Sequence, residues 1–189
     1  MNKSEFSVKS ETEVQENKTV LRYAGTANDS IVDGPGLRFA IFTQGCPHGC
    51  PGCHNPHTHD FNGGKTAELS FFTDKIRSNP LLDGVTFSGG EPFCQAGALA
   101  ELADELKDTE LNFVTYTGYT FEYLLKNASE ENRYMDLLRC TDLLVDGPFI
   151  EAQKSIEIRF RGSRNQRLID CKKSLAAGTV IEISEDDLY

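Results

Sequence analysis

Long apolar stretches are missing from this chain, and so is any surplus of positive charge. No window approaches ~18 consecutive apolar residues, which argues against a membrane-spanning helix. Met1 to Val20 hold no apolar run of ~7 that could act as an export signal. The expectation is a cytoplasmic protein with no membrane partner. Against 29 Asp and Glu stand only 19 Lys and Arg, a net charge of -10. That balance disfavours a nucleic-acid partner, because proteins that bind polyanions carry basic surfaces. Internal repeats and low-complexity tracts are lacking too. What is present is enough for one core: 189 residues, 39% of them hydrophobic, with 12 Phe and 6 Tyr, suit a single folded domain better than two.

Three zones follow from composition. Residues 1–20 are polar, with apolar residues too sparse to bury a face, and are expected to be a disordered arm. Residues 21–173 read as one domain. Residues 174–189 form an acidic tail carrying Glu182, Glu185, Asp186 and Asp187. Within the domain, short apolar runs alternate with helical patterns. Phe39–Phe42, Val85–Phe87, Asn112–Tyr116 and Leu143–Val145 read as buried strands; Leu69–Ser78, Phe93–Lys107, Phe121–Leu125 and Glu131–Arg139 read as helices. The predicted fold class is α/β, with a mostly parallel sheet and ligands at the carboxyl ends of its strands. Between Lys154 and Lys173 seven cations face two anions, a stretch suited to an acidic partner or an anionic ligand, or simply to solvent.

The six cysteines are distributed unevenly. Cys46, Cys50 and Cys53 fall within eight residues, and all four histidines, His48, His54, His57 and His59, crowd the same segment. In a reducing compartment such a cluster points to metal or redox chemistry, not to disulfides. Gly45, Gly49 and Gly52 let the loop turn back on itself by accepting positive φ. Two metals suit the spacing. A structural zinc would need a fourth ligand from His54, His57 or His59. An iron–sulfur cluster held by three cysteines would leave one iron open to substrate. Cys94, Cys140 and Cys171 lie far apart and read as small buried residues. A second element favours iron. Strand Val85–Ser88 runs into Gly89-Gly90-Glu91-Pro92, a turn whose glycines admit close backbone approach to a ligand, with Pro92 where a helix starts. In a parallel sheet this turn and the cysteine loop share one edge, and a structural zinc leaves the turn unexplained.

The triplet Cys46/Cys50/Cys53 followed by Gly89–Pro92 resembles the radical S-adenosylmethionine enzymes. Val32-Asp33-Gly34-Pro35-Gly36-Leu37-Arg38 looks like the glycyl-radical-enzyme activases among them. Cys50–Asn55, Val145–Phe149 and Arg161–Gln166 narrow the resemblance to the activases of anaerobic ribonucleoside-triphosphate reductases. It runs from about Arg22 to Ile169. Two features depart from the wider superfamily. Gly52 stands where an aromatic residue usually precedes the third cysteine, and no cysteine lies between Cys53 and Val85, so a single cluster is expected.

The resemblance implies an open or partial (β/α) barrel of the radical S-adenosylmethionine type. It implies one 4Fe-4S cluster on Cys46, Cys50 and Cys53, with S-adenosylmethionine on the fourth iron. Reductive cleavage then yields a 5'-deoxyadenosyl radical that takes hydrogen from a glycine Cα of the reductase large subunit. By the same resemblance Gly52, Cys53 and His54 pass beside the adenosyl group, Gly89 and Gly90 accept the methionyl end, and Asp146 meets a cation or the cofactor's polar groups. Arg161 and Arg164 could meet the cofactor carboxylate or the partner. No acid–base residue is required, so His48, His57 and His59 are not assigned to catalysis. The electron donor is expected to be an acidic protein such as flavodoxin. The rival readings are a related enzyme acting on a small molecule and a zinc-stabilised module that binds protein or RNA.

Overall fold

Apolar runs bounded by glycine build the middle of a seven-stranded sheet. The computed structural model describes residues 18–188; residues 1–17, most of the expected arm, lie outside the described residues. The strands are β1 (Val20–Ser30), β2 (Arg38–Thr43), β3 (Lys65–Glu68), β4 (Gly84–Gly89), β5 (Asn112–Tyr116), β6 (Leu143–Asp146) and β7 (Arg167–Asp170), in the order β3-β1-β2-β4-β5-β6-β7. β2, β4, β5 and β6 pair in parallel. β1 and β7 run against their neighbours, and β3, antiparallel to β1, points the same way as the inner four. Five of seven strands therefore share a direction.

The helices are α1 (Leu69–Arg77), α2 (Ala96–Glu105), α3 (Phe121–Lys126), α4 (Tyr134–Cys140) and α5 (Cys171–Ala177). All five bury apolar residues in one cluster with Phe39, Ile41, Val85, Phe87, Phe113, Leu144 and Ile169 of the sheet. Alternation along each strand sends the intervening residues to the other face. Those include Arg38, Thr86, Val114 and Tyr116, and Val114 joins Leu143, Val145 and Leu168 in a smaller cluster packed by Ile183 and Leu188. The sheet thus has a helix-covered face and an opposite face covered in part by the C-terminal segment. That segment adds to the free edge of β7, where Ile183 N–H donates to Leu168 C=O (2.9 Å) and Asp170 N–H to Ile181 C=O (3.0 Å). Among the described residues no helix is long and apolar enough to cross a membrane.

The elements read from the sequence are present with shifted ends. The helix expected from Phe93 begins as a 3-10 turn at Pro92–Gln95 before α2. β1, β3, β7 and α5 were not expected. Each mixes polar with apolar residues and carries no apolar run. α5 is defined at its ends by capping: Asp170 accepts the Lys173 N–H (2.9 Å), and Gly178 closes it at φ 67°. The basic stretch also differs from expectation. Arg161, Arg164, Arg167, Lys172 and Lys173 pair with Glu185, Glu157, Glu122 and Asp146, Asp142, and Asp170, so much of the local excess is neutralised within the fold.

Candidate functional site

Loops at the carboxyl ends of β2, β4, β5 and β6 surround a cavity of about 340 Å3 on the face away from the helices, within the usual range for small-ligand pockets. The cysteine loop supplies Cys46, His48, Cys50, Cys53, His54, Asn55 and His59. The loop is closed at its neck: Gly45 N–H donates to Thr58 C=O (2.8 Å) and Cys46 N–H to His59 C=O (3.1 Å). Gly45, Gly49 and Gly52 adopt φ of 97°, 57° and 71°, as the expected reversal requires. The three thiols are half-buried. Burial raises the Cys46 thiol above its ordinary value, and the nearby Glu91 carboxylate adds to the rise.

Gly89 and Gly90 line the same cavity. Gly89 has φ 94°, and a Cβ there would lie 2.6 Å from the Phe42 and Thr43 backbone; one at Gly90 would meet Gly45 C=O at 2.5 Å. Only glycine lets these two loops touch. Gly90 N–H donates to Thr43 C=O (2.9 Å) and Glu91 N–H to Gly45 C=O (2.8 Å), which ties the glycine turn to the cysteine loop.

Glu91 is the hub of the site. Its carboxylate is fully buried and accepts from Phe93 N–H (3.0 Å), Thr117 Oγ1 (3.0 Å) and Gly118 N–H (2.9 Å). It also meets His48 Nε2 at 2.7 Å. The His48 ring packs edge-on against Tyr119, with centroids 4.5 Å apart, and a Cβ at Gly118 would strike that ring at 2.4 Å. One side chain thereby joins the loops after β2, β4 and β5. The sequence displayed Glu91 inside its motif, yet all its partners but Phe93 lie 26 to 43 positions away, so its role could not be read there.

The loop after β6 forms the far wall. Gly147 and Phe149 line the cavity with Phe160, Arg161, Gly162 and Gln166. Gln166 knits the two segments: its Oε1 accepts Gly162 N–H (2.8 Å), while its Nε2 donates to Gly147 C=O (3.1 Å). The Phe149 ring lies 5.1 Å from that of His54. Two expected residues, Gly52 and Asp146, are not among those lining the cavity. Gly52 backs onto Glu151, whose carboxyl carbon would lie 2.9 Å from a Cβ at that position. Asp146, 1% exposed, accepts Phe121 N–H (2.8 Å) and Arg167 Nε–H (2.9 Å). Arg164 pairs with Glu157. Of the remaining cysteines, Cys171 is buried as expected, Cys140 is half-buried, and Cys94 is exposed, against the expectation of a buried residue.

The donor set fits an iron–sulfur centre. Three thiols border one cavity, while among the described residues no three His, Cys, Asp or Glu are grouped as ligands of a single ion. A 4Fe-4S cluster needs no such convergence, since each thiolate binds a different iron. Comparison with known proteins agrees. A family model described as a 4Fe-4S single cluster domain matches residues 32–169. The anaerobic ribonucleoside-triphosphate reductase-activating protein of Vibrio cholerae is 34% identical over 148 residues, covering 72% of this chain and 89% of that protein. The protein of the same name from Escherichia coli is 31% identical over 144 residues, covering 72% and 90%. The pyruvate formate-lyase-activating enzyme of Clostridium pasteurianum is 36% identical over 121 residues, 61% of this chain and 47% of that enzyme. With its cysteine loop and glycine turn on one cavity and these matches spanning most of its length, the chain belongs to the 4Fe-4S single-cluster family and, within it, to the anaerobic ribonucleoside-triphosphate reductase-activating proteins.

Proposed function

We propose that this protein is the activase of an anaerobic ribonucleoside-triphosphate reductase, generating a glycyl radical on the reductase large subunit. The observation that carries this reading is the single cavity bordered by Cys46, Cys50, Cys53, Gly89 and Gly90 at the carboxyl ends of parallel strands. The three cysteines hold one 4Fe-4S cluster and leave one iron for S-adenosylmethionine. When bound, this pair supplies an electron to split the sulfonium and a 5'-deoxyadenosyl radical that abstracts hydrogen from a glycine Cα. The protein's part is to position and to shield. Gly89 and Gly90 offer backbone to the methionyl end. Cys53, His54 and Phe149 flank the adenosyl side. Gly52 lets the loop pack on Glu151, and Asp146 fixes the turn that carries Gly147.

The sheet is assigned as an open, partial barrel with its ligand face inside, and residues 21–173 as the domain that carries the activity. A cytoplasmic location, where thiols stay reduced, and a flavodoxin-type donor complete the reading. Such a donor would have to compete with the ion pairs already made by Arg164 and Arg167.

Anaerobic reconstitution with iron and sulfide tests the proposal. The expected result is iron at the level of one cluster, an EPR spectrum of the reduced protein that changes on adding S-adenosylmethionine, and a glycyl radical in co-incubated reductase. Cys53→Ala is expected to abolish that radical. Zinc without iron, or radical formation by Cys53→Ala, overturns it.

A further inference from the structure

Among the described residues, Arg161 is the one Arg or Lys lining the cavity. Phe160, immediately before it, has a left-handed backbone with φ 58°, a conformation that bulky residues adopt rarely and at local cost. The Arg161 side chain is 18% exposed, and its Nε is buried with no hydrogen-bond partner. As a cation on the cavity wall, Arg161 is the group there that the carboxylate of an anionic ligand would meet. The rest of the guanidinium is engaged. Nη1 donates to Gln166 C=O (3.4 Å), and Nη2 is ion-paired with Glu185. Glu185 belongs to the acidic C-terminal segment, which the backbone pairing beyond β7 brings to this wall, and its carboxylate also accepts Arg159 N–H (3.1 Å).

We propose that Arg161 and Glu185 form an exchangeable latch. In the free protein the tail carboxylate holds the guanidinium; when the cavity fills, the carboxylate of the ligand takes its place. Resting on the function proposed above, that carboxylate is the methionyl carboxylate of S-adenosylmethionine. The two carboxylates compete for one planar fork of donors. The C-terminal segment thereby sets the affinity of the cavity for its ligand, because every molecule in which Glu185 holds Arg161 must first let go.

The test is the binding of S-adenosylmethionine to the anaerobically reconstituted protein. A point variant suits it better than a truncation, since the segment also packs the sheet. Glu185→Gln is expected to bind about three- to ten-fold more tightly, and Arg161→Gln about ten-fold or more weakly, the range of one charged hydrogen bond. Glu185→Gln should give no gain in the Arg161→Gln background, as coupling through one contact requires. Asp187→Asn, which removes an equal charge from the same segment, should change little. Decarboxylated S-adenosylmethionine should be indifferent to all of these substitutions. Hydrogen exchange supplies a readout independent of activity: in wild-type protein the Arg159 amide should exchange faster once S-adenosylmethionine is bound. Equal affinities in wild type and both variants, or a gain that persists with the decarboxylated analogue, overturn the latch. So does Arg161→Gln protein that binds normally but activates poorly, which assigns Arg161 to the partner. If wild-type protein with an intact reduced-cluster signal binds no S-adenosylmethionine, the cofactor reading fails and the latch falls with it.

Discussion

A carboxylate with no exposed surface must have every lone pair answered, and Glu91 meets that demand with donors from three loops. Glu91→Ala leaves Phe93 N–H, Thr117 Oγ1, Gly118 N–H and His48 Nε2 without their acceptor in a buried place. The expected loss is about 3–5 kcal/mol of stability, the range for breaking one side of a buried charged network. Chemical denaturation of the cluster-free protein measures it without interference from iron. Glu91→Gln keeps the shape and part of the acceptor capacity and should lose less. A loss below about 1 kcal/mol for Glu91→Ala would mean that the three loops hold their places without this hub. Arg38 is a second buried charge, and it is stabilised by neutral acceptors. It donates to Thr86 Oγ1 (3.1 Å), Pro35 C=O (3.2 Å), Val85 C=O (2.7 Å) and the side chain and C=O of Asn112. Burial pulls its pKa down to about 10, still high enough for the charge to persist near neutrality. The fork binds the Asp33–Pro35 turn to β4 and β5 from the ligand face.

Element ends carry the electrostatics of this fold. Arg167 at the start of β7 bridges Asp146 at the end of β6 and Glu122 in the first turn of α3. The hydrogen bond from Arg167 holds the Glu122 carboxyl down at about 2, against an ordinary value of about 4.3. A depressed carboxyl stabilises the fold fully above its unfolded value and stops doing so as the pH falls toward its folded one. Glu122→Gln is therefore expected to be less stable than wild type near neutrality, with the gap closing between about pH 4.3 and pH 2. Denaturant midpoints across that window check it, and a gap that stays constant would remove the pair from the account. Which elements were legible in the sequence follows from their surroundings. β2, β4, β5 and β6 lie between neighbours and under helices, so they show as apolar runs. β3 reads Lys65-Thr66-Ala67-Glu68, β7 reads Arg167-Leu168-Ile169-Asp170, and β1 contains Gly25, Asn28 and Asp29; their place comes from antiparallel pairing with β1, β6 and β2, which their own mixed composition does not record. The candidate site divides the same way. The cysteine loop and the glycine turn are contiguous strings with their own spacing, whereas the wall of Phe149, Arg161 and Gly162 is assembled from two segments that Gln166, Ser163 and Asn165 tie together.

At the scale of the whole molecule the two sheet faces have different guardians. Five helices seal one face, and the other is left to the cavity and to a small cluster whose cover includes Ile183 and Leu188. The acidic C-terminal segment is thus part of the fold as well as the source of Glu185. Removing residues 179–189 uncovers Val145 and Leu168 and opens the outer edge of β7, where Ile181 and Ile183 now pair with Asp170 and Leu168. The expected cost is about 2–4 kcal/mol, from two partly buried aliphatic side chains and their backbone hydrogen bonds. An unpaired edge next to exposed aliphatic surface also invites a second copy of the chain. The truncated protein should therefore unfold at lower urea and sediment as larger species with rising concentration, while Glu185→Gln, which keeps Ile183 and Leu188, should do neither. A truncated protein that matches the full chain in both measurements would confine the segment to the latch, and would mean that the helix-covered face alone carries the stability of the sheet.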